Sequence, residues 1–254
     1  MKIAIFTRWK NGKLLNLLND LQTQSVSTQI NVYSDEDFFF SWVNIVKTPG
    51  ASIAQKRNFA ADWAEDDEFL LMLDDDNRIF NKDFLLKLNQ FYNKIKEQDK
   101  ILSPVVYYRT TWKIQSAGVR FCYLLGKVFV NRKIKWDFWE VEWMWWNSLF
   151  GKWKDFKKAK FDEEIWFIRE DLDYTYSLRE NGCKVFVVNL PINHMERDKT
   201  LAEKSFVAGE IFKRKIRNRD IFVKKHWDSW QKLVYWLFGR WVSMIWWKIK
   251  QLIS

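Results

Sequence analysis

Residues 69–76 read Phe69-Leu70-Leu71-Met72-Leu73-Asp74-Asp75-Asp76, five apolar residues followed by three acids. An apolar run of this length without alternation marks a strand covered on both faces, as central parallel strands are. Its acids then fall at the strand's carboxyl end, where parallel α/β sheets bind ligands. Side chains alternate along a strand, so Asp74 and Asp76 point one way and Asp75 the other. Two carboxylates on one side, next to water, suit a hard divalent cation that also grips phosphate oxygens. An acidic turn capping the next segment would use the same residue types.

Around this strand the chain alternates short β-rich runs with helical ones. Lys2 to Thr7 reads as a strand, and Leu14 to Gln22 as a helix with leucines at 14, 15, 17, 18 and 21. Gln29 to Ser34 is the next strand. Thr48-Pro49-Gly50 is a turn, and Ser52 is the N-cap expected for a helix running to about Ala64. Asn81 to Gln98 is an amphipathic helix, and Ile101 to Tyr108 a strand interrupted by Pro104. This order predicts an α/β sheet with right-handed crossovers, mixed but mainly parallel and flanked by helices. Between 112 and 160 the pattern is harder to read: Ile114 to Val130 suits a hairpin, and Trp136 to Trp153 a Trp-rich helix or loop. Asp171 to Asn181 then reads as a helix stopped by Gly182, and Lys184 to Leu190 as a strand stopped by Pro191.

A second acidic cluster, Glu170-Asp171-Leu172-Asp173, opens that last helix. Free N–H groups and the macrodipole favour carboxylates there, so capping accounts for one or two of them. The same environment keeps a carboxylate ionised at neutral pH, as a general base must be. His194, at the end of a strand, is one of two histidines and reads as structural or as a metal ligand. The other, His226, lies in Lys224-Lys225-His226-Trp227 and reads as part of a solvated basic face. No GxSxG elbow, Cys/His metal spacing, HExxH or Gly-rich phosphate loop is found.

The 254 residues carry 42 Lys and Arg against 32 Asp and Glu, with 48% hydrophobic residues and few Gly or Pro, which excludes collagen-like and disordered chains. The charge is uneven. Residues 205–254 hold 11 Lys and Arg against 3 Asp and Glu, a net of +8, leaving +2 of the total +10 for residues 1–204. The composition break near 205 divides a domain at 1–204 from a helical tail at 205–254. Six of the 17 Trp lie in that tail, and seven more between Trp136 and Trp166. A basic, Trp-rich segment suits an anionic membrane surface or nucleic acid, or a helix docked on the domain itself. Its run from Leu233 to Trp247 is shorter than the ~20 residues a spanning helix needs, so peripheral contact is expected. No secretory signal is read at the N-terminus, so a reducing compartment is expected, with Cys122 and Cys183 as buried thiols.

Four stretches in order now resemble the family 2 glycosyltransferases of the GT-A fold. Gly50-Ala51-Ser52-Ile53-Ala54-Gln55-Lys56-Arg57-Asn58 is similar to the family's "G…A…RN" helix start. Leu71 to Asp76 resembles its DxD strand. Phe161-Asp162-Glu163-Glu164, with Glu170 to Asp173 and Leu178 to Gly182, resembles "FDE…ED.D…LR..G", and Pro191-Ile192-Asn193-His194 its closing "P…H". The strand-2 end departs from the family, reading Val32-Tyr33-Ser34-Asp35-Glu36-Asp37 in place of VVDDGSTD.

The resemblance implies a nucleotide-sugar donor, an acceptor hydroxyl on a saccharide or lipid-linked molecule, inversion at the sugar, and a role in bacterial polysaccharide or lipopolysaccharide synthesis. By it, Asp76 coordinates Mn2+ or Mg2+ with His194 completing the site. Asp35, Arg57, Asp74 and Asp75 bind the donor, and Asp171 is the base. Glu170 and Asp173 orient the helix start or bind the acceptor. Apart from the resemblance, Trp136, Trp139, Trp143, Trp145 and Trp146 suit an aromatic acceptor platform, the packing of a helix onto the sheet, or a membrane surface. A domain that binds sugars without catalysis would share these motifs. Nucleic acid is not expected as a partner, because acids close the apolar strands. The expected location is the cytoplasmic face of a membrane.

Overall fold

The computed structural model describes residues 1–8, 11–65, 67–122, 127–144, 148–165, 170–195, 214, 216–239, 241 and 245. The first half runs β1 (Lys2–Phe6), α1 (Gly12–Gln22), β2 (Gln29–Ser34), β3 (Asn44–Lys47), α2 (Ile53–Trp63), β4 (Phe69–Asp74), β5 (Asn77–Arg78), α3 (Phe84–Lys94) and β6 (Lys100–Tyr108). Then come β7 (Ile114–Ser116), β8 (Val119–Cys122), β9 (Lys127–Val130), β10 (Phe138–Glu140), β11 (Ser148–Lys152), α4 (Trp153–Phe156), α5 (Glu170–Glu180) and β12 (Lys184–His194). Residues 216–226 form α6, followed by α7 (Ser229–Val234) and a π-helical turn, Tyr235–Gly239.

The main sheet has the order β10-β12-β6-β11-β4-β1-β2-β3. β4, β1, β2 and β3 are parallel to one another, as β6 is to β12. β11 lies antiparallel between β4 and β6, and β10 antiparallel against β12. The result is a mixed α/β fold with a mostly parallel sheet between helices. β4 is central and covered on both faces, as its sequence predicts. Leu70 and Met72 enter the core beneath α2, α4 and α5, beside Ala60, Phe156 and Leu178. Leu71 and Leu73 enter the opposite core beneath α1 and α3, beside Leu14, Leu17 and Leu88.

Local signals set the helix boundaries. Ser52 caps α2 through a capping box, its Oγ accepting from the Gln55 N–H at 3.2 Å while Gln55 Oε1 accepts from the Ser52 N–H at 2.8 Å. Gly182 follows α5 with φ +78, a conformation other residues resist.

Two expectations are corrected. Trp136 to Trp153, expected as one helix or loop, contains strands β10 and β11. Gly151 lets β11 approach β6: a Cβ there would sit 2.7 Å from Ile101 Cδ1 and 3.0 Å from Lys100 O. The last strand does not stop at Pro191 but runs on to His194. Its register against β6 shifts between Val188 and Pro191, so the proline falls at an irregularity where no ladder N–H is required. Pairing then resumes and carries His194 to Asn77 of β5.

The predicted boundary near residue 205 lies outside the described residues, as do Trp145, Trp146, Trp166, Trp246, Trp247 and the Cys122 side chain. Cys183 is a buried free thiol, as predicted, and burial pushes it up to about 12. No helix among the described residues is long and apolar enough to cross a membrane.

Candidate active site

A cleft of about 500 Å³ opens at the carboxyl ends of β1, β2 and β4, lined among others by Thr7, Asp35, Lys56, Arg57, Asp76 and Glu170. Helix α2 presents Lys56 and Arg57 to it, both buried although charged. Lys56 Nζ donates to Thr7 O at 2.8 Å and to Asp35 Oδ1 at 2.5 Å, fixing the end of β1 to the acid after β2. The Arg57 guanidinium bridges two acids, with Nη2 3.1 Å from Asp74 Oδ1 and Nη1 3.1 Å from Glu170 Oε1. It thereby joins the end of β4 to the first turn of α5. The next residue, Asn58, donates to Phe161 O at 3.1 Å and accepts from the Phe161 N–H at 2.9 Å, so the Phe161-Asp162-Glu163 segment is fixed to the same helix.

Within the acidic triplet, Asp74 and Asp75 part as strand alternation predicts. Asp74 turns to Arg57, whereas Asp75 turns the other way and accepts from Thr7 Oγ1 at 2.6 Å and Asn11 Nδ2 at 2.8 Å. Asn11 also caps α1 by accepting from the Leu14 N–H at 2.9 Å. Asp75 thus fixes the start of α1 to the end of β4. Asp76 follows in the turn, with Oδ2 3.0 Å from His194 Nε2 and 3.9 Å from Lys13 Nζ. Antiparallel pairing of β5 with β12 brings these residues together, and the Met195 N–H donates to Asp76 O at 2.8 Å.

Burial shifts the titration of the site, and neighbouring charges modify it. Asp74 is raised to about 7 by burial, with Asp76 and Asp75 adding to the effect and Arg57 opposing it. Burial raises Asp75 as well, against its bonds to Thr7 and Asn11. Burial pulls His194 down, but its bond to Asp76 and the charges of Asp76 and Asp74 prevail, so it ends above the ordinary histidine range.

Among the described residues, no three His, Cys, Asp or Glu side chains form a ready metal site. A cation shared with a diphosphate needs fewer protein donors, since Mg2+ commonly takes one or two carboxylates plus phosphate oxygens. Asp76 Oδ1 is buried without a hydrogen-bond partner and fits such a shared ion, whereas His194 turns Nε2 to Asp76, so its unpartnered Nδ1 points away and the ring would join through Nε2 in place of that contact.

The remaining predicted residues divide between cleft and packing. Glu170 lines the cleft. Asp171, the next residue along α5, is not among the residues that line the cleft; it is 8% exposed, with Oδ1 accepting from the Leu172 N–H at 2.8 Å. Asp173 is fully buried and faces α6, not the cleft. Trp143, expected either on an acceptor platform or in packing, is 1% exposed and packs edge-on against Tyr176 and Phe222, so its faces are unavailable to a sugar. Trp139 is buried too, whereas Trp136 is 74% exposed. His226, expected on a solvated face, is instead enclosed between Asp173 and Glu180. Sequence reasoning missed Lys56, Thr7, Asn11 and Lys13. Lys56 had a local signal, a second cation beside Arg57 one turn after the Ser52 cap; the other three had none.

No family profile matches the chain, and no curated protein matches it in sequence. Solved structures do match its backbone. GalNAc-T7, crystallised with UDP, GalNAc and Mn2+, gives a TM-score of 0.62 at 13% identity, over 78% of this chain and 43% of that one. Residues 1–349 of S. aureus TarS give 0.58 at 15%, over 94% and 72%. A second S. aureus TarS structure gives 0.57 at 16%, over 91% and 41%. The chain therefore has the GT-A glycosyltransferase fold, and it spans less than half the length of the GalNAc-T7 chain.

Proposed function

We propose that the protein is an inverting glycosyltransferase of the family 2 type, moving a sugar from a nucleotide donor to a hydroxyl of a saccharide or lipid-linked acceptor. The observation that carries this reading is the set of charged groups around the cleft: Asp35 and Lys56, then Arg57 bridging Asp74 to Glu170, then Asp76 with His194. Donor in the cleft would lie along Asp35, Arg57 and Asp74, with its diphosphate towards Asp76 and Lys13. Asp76 and His194 would hold Mn2+ or Mg2+ against that diphosphate, and the ion's charge would stabilise the leaving group.

Asp171 is the base in this reading. It stands in the first turn of α5 next to Glu170, which is already committed to Arg57. Asp171 takes the proton from the acceptor hydroxyl as that oxygen bonds to the anomeric carbon. The bond from that carbon to the diphosphate oxygen breaks, and its electron pair leaves with the nucleoside diphosphate. One displacement inverts the sugar, so proton NMR of the first product formed should show the anomeric configuration opposite to the donor's. A product that keeps the donor's configuration would contradict this mechanism.

A role in bacterial cell-surface polysaccharide or lipopolysaccharide synthesis would bring the acceptor to the cytoplasmic face of the membrane. The C-terminal helices support peripheral attachment there. Their inner side buries Trp227 and Tyr235 against the domain, while Trp230 (71% exposed), Leu233 (47%) and Leu237 (56%) face outwards. An outward apolar row on a segment of net +8 suits an anionic bilayer surface. Flotation with phosphatidylglycerol vesicles should recover the protein, with at least about tenfold weaker binding for the Trp230→Ser/Leu237→Ser variant. Equal binding by that variant, or none by the wild type, would remove the membrane from the account.

A further inference from the structure

Asp173 is fully buried, and both of its oxygens are met by side chains of α6, more than fifty residues away. Its Oδ1 lies 2.7 Å from His226 Nε2 and its Oδ2 2.8 Å from Lys225 Nζ. The contacts continue to both sides. Lys225 Nζ also reaches Asp162 Oδ2 at 3.1 Å, in the segment that Asn58 fixes to α2. His226 Nδ1 reaches Glu180 Oε2 at 2.7 Å, in the last turn of α5. Beneath these ion pairs Phe222, Val223, Trp227 and Tyr235 pack on Leu172, Trp143 and Val119, and the rings of Tyr176 and Phe222 flank His226 at 4.7 and 4.8 Å.

The first turn of α5 is therefore held from two directions. Arg57 ties Glu170 to the end of β4, and α6 ties Asp173 to the opposite side. Asp171 sits between these anchors, about 200° around the helix from Asp173. We propose that α6 is part of the transfer site, with Asp173 the positioning residue through which Lys225 and His226 set the place of Asp171. This rests on the reading of Asp171 as the base. A buried carboxylate that loses its Lys225 counter-charge or its His226 partner must neutralise or move towards water, and either response shifts the turn that carries Asp171. Displacements of this kind lower turnover without altering groups that bind donor on the far side of the cleft.

The test uses the full chain carrying Lys225→Met, His226→Gln or the conservative Lys225→Arg. Two readouts are taken: kcat and donor KM separately, and hydrogen exchange of the α5 amides. Lys225→Met and His226→Gln should lower kcat roughly tenfold to hundredfold with donor KM within about twofold, and should speed exchange in the first turn of α5. Lys225→Arg should restore both. Unchanged kcat with unchanged exchange, or loss of kcat only in proportion to the unfolded fraction, would overturn the proposal. If the wild type turns over no nucleotide sugar, the transfer reading falls. Exchange then decides the clamp by itself: faster exchange of α5 in Lys225→Met and His226→Gln supports it, and unchanged exchange overturns it.

Discussion

Replacing Arg57 with methionine should lower the melting temperature by roughly 10 °C and abolish transfer. Arg57 is the buried counter-charge shared by Asp74 and Glu170, and methionine fills most of its volume without the charge. Breaking a buried pair by removing one partner costs about 3–5 kcal/mol, because the remaining charges stay desolvated. For a chain of this size that corresponds to a shift of this order. The loss should grow with pH. With Arg57 beside it Asp74 titrates at about 7, and without Arg57 its carboxyl holds the proton to higher pH. Below that range Asp74 is neutral in both proteins and only the Glu170 pair is lost, whereas at pH 8 the wild type also pairs an ionised Asp74 and the variant cannot. Adding Asp74→Asn should therefore recover part of the loss. Calorimetry at pH 6 and pH 8 checks this, and a variant that melts within 2 °C of wild type at both would refute the bridging role.

Asp171→Asn should reduce turnover about 10²- to 10⁴-fold, the range for a general base, with little change in stability or donor affinity. Asparagine has nearly the same shape and is equally accepted near a helix start, so the fold has no reason to respond. The proton of the acceptor hydroxyl would lose its destination. Glu170→Gln is the informative comparison, because it removes a partner of Arg57 and should weaken the fold as well as activity. Wild-type turnover by Asp171→Asn, with the loss appearing only in Glu170→Gln, would move the base by one residue.

These residues also show how far the sequence could be read. The division of Asp74 from Asp75 follows from strand alternation alone, and Ser52 and Gly182 mark helix ends by local backbone chemistry. The antiparallel insertion of β11 was hidden, because a five-residue strand with four buried residues carries no period that distinguishes it from a buried helical turn. Pro191 misled for a related reason: proline removes one ladder donor, and a register shift absorbs that without ending the strand. Trp143, Lys225 and His226 were assigned from composition, which records how much charge and aromatic surface a segment has but not which side of it is covered. His226 finds its carboxylates on a helix some fifty residues earlier, a tertiary pairing that leaves no local signature.

The central claim is that the cleft holds a nucleoside diphosphate and a divalent cation together. Thermal melts with UDP, GDP, CDP, ADP and dTDP, each with and without Mn2+, test it most directly. At about a hundred times its Kd, one nucleotide should add about 2.7 kcal/mol of stability, a rise of roughly 5–10 °C, in the presence of Mn2+ and much less without it. Asp76→Asn should lose the Mn2+-dependent part. If no nucleoside diphosphate raises the melting temperature with Mn2+ present, the cleft is not a donor site and the account fails.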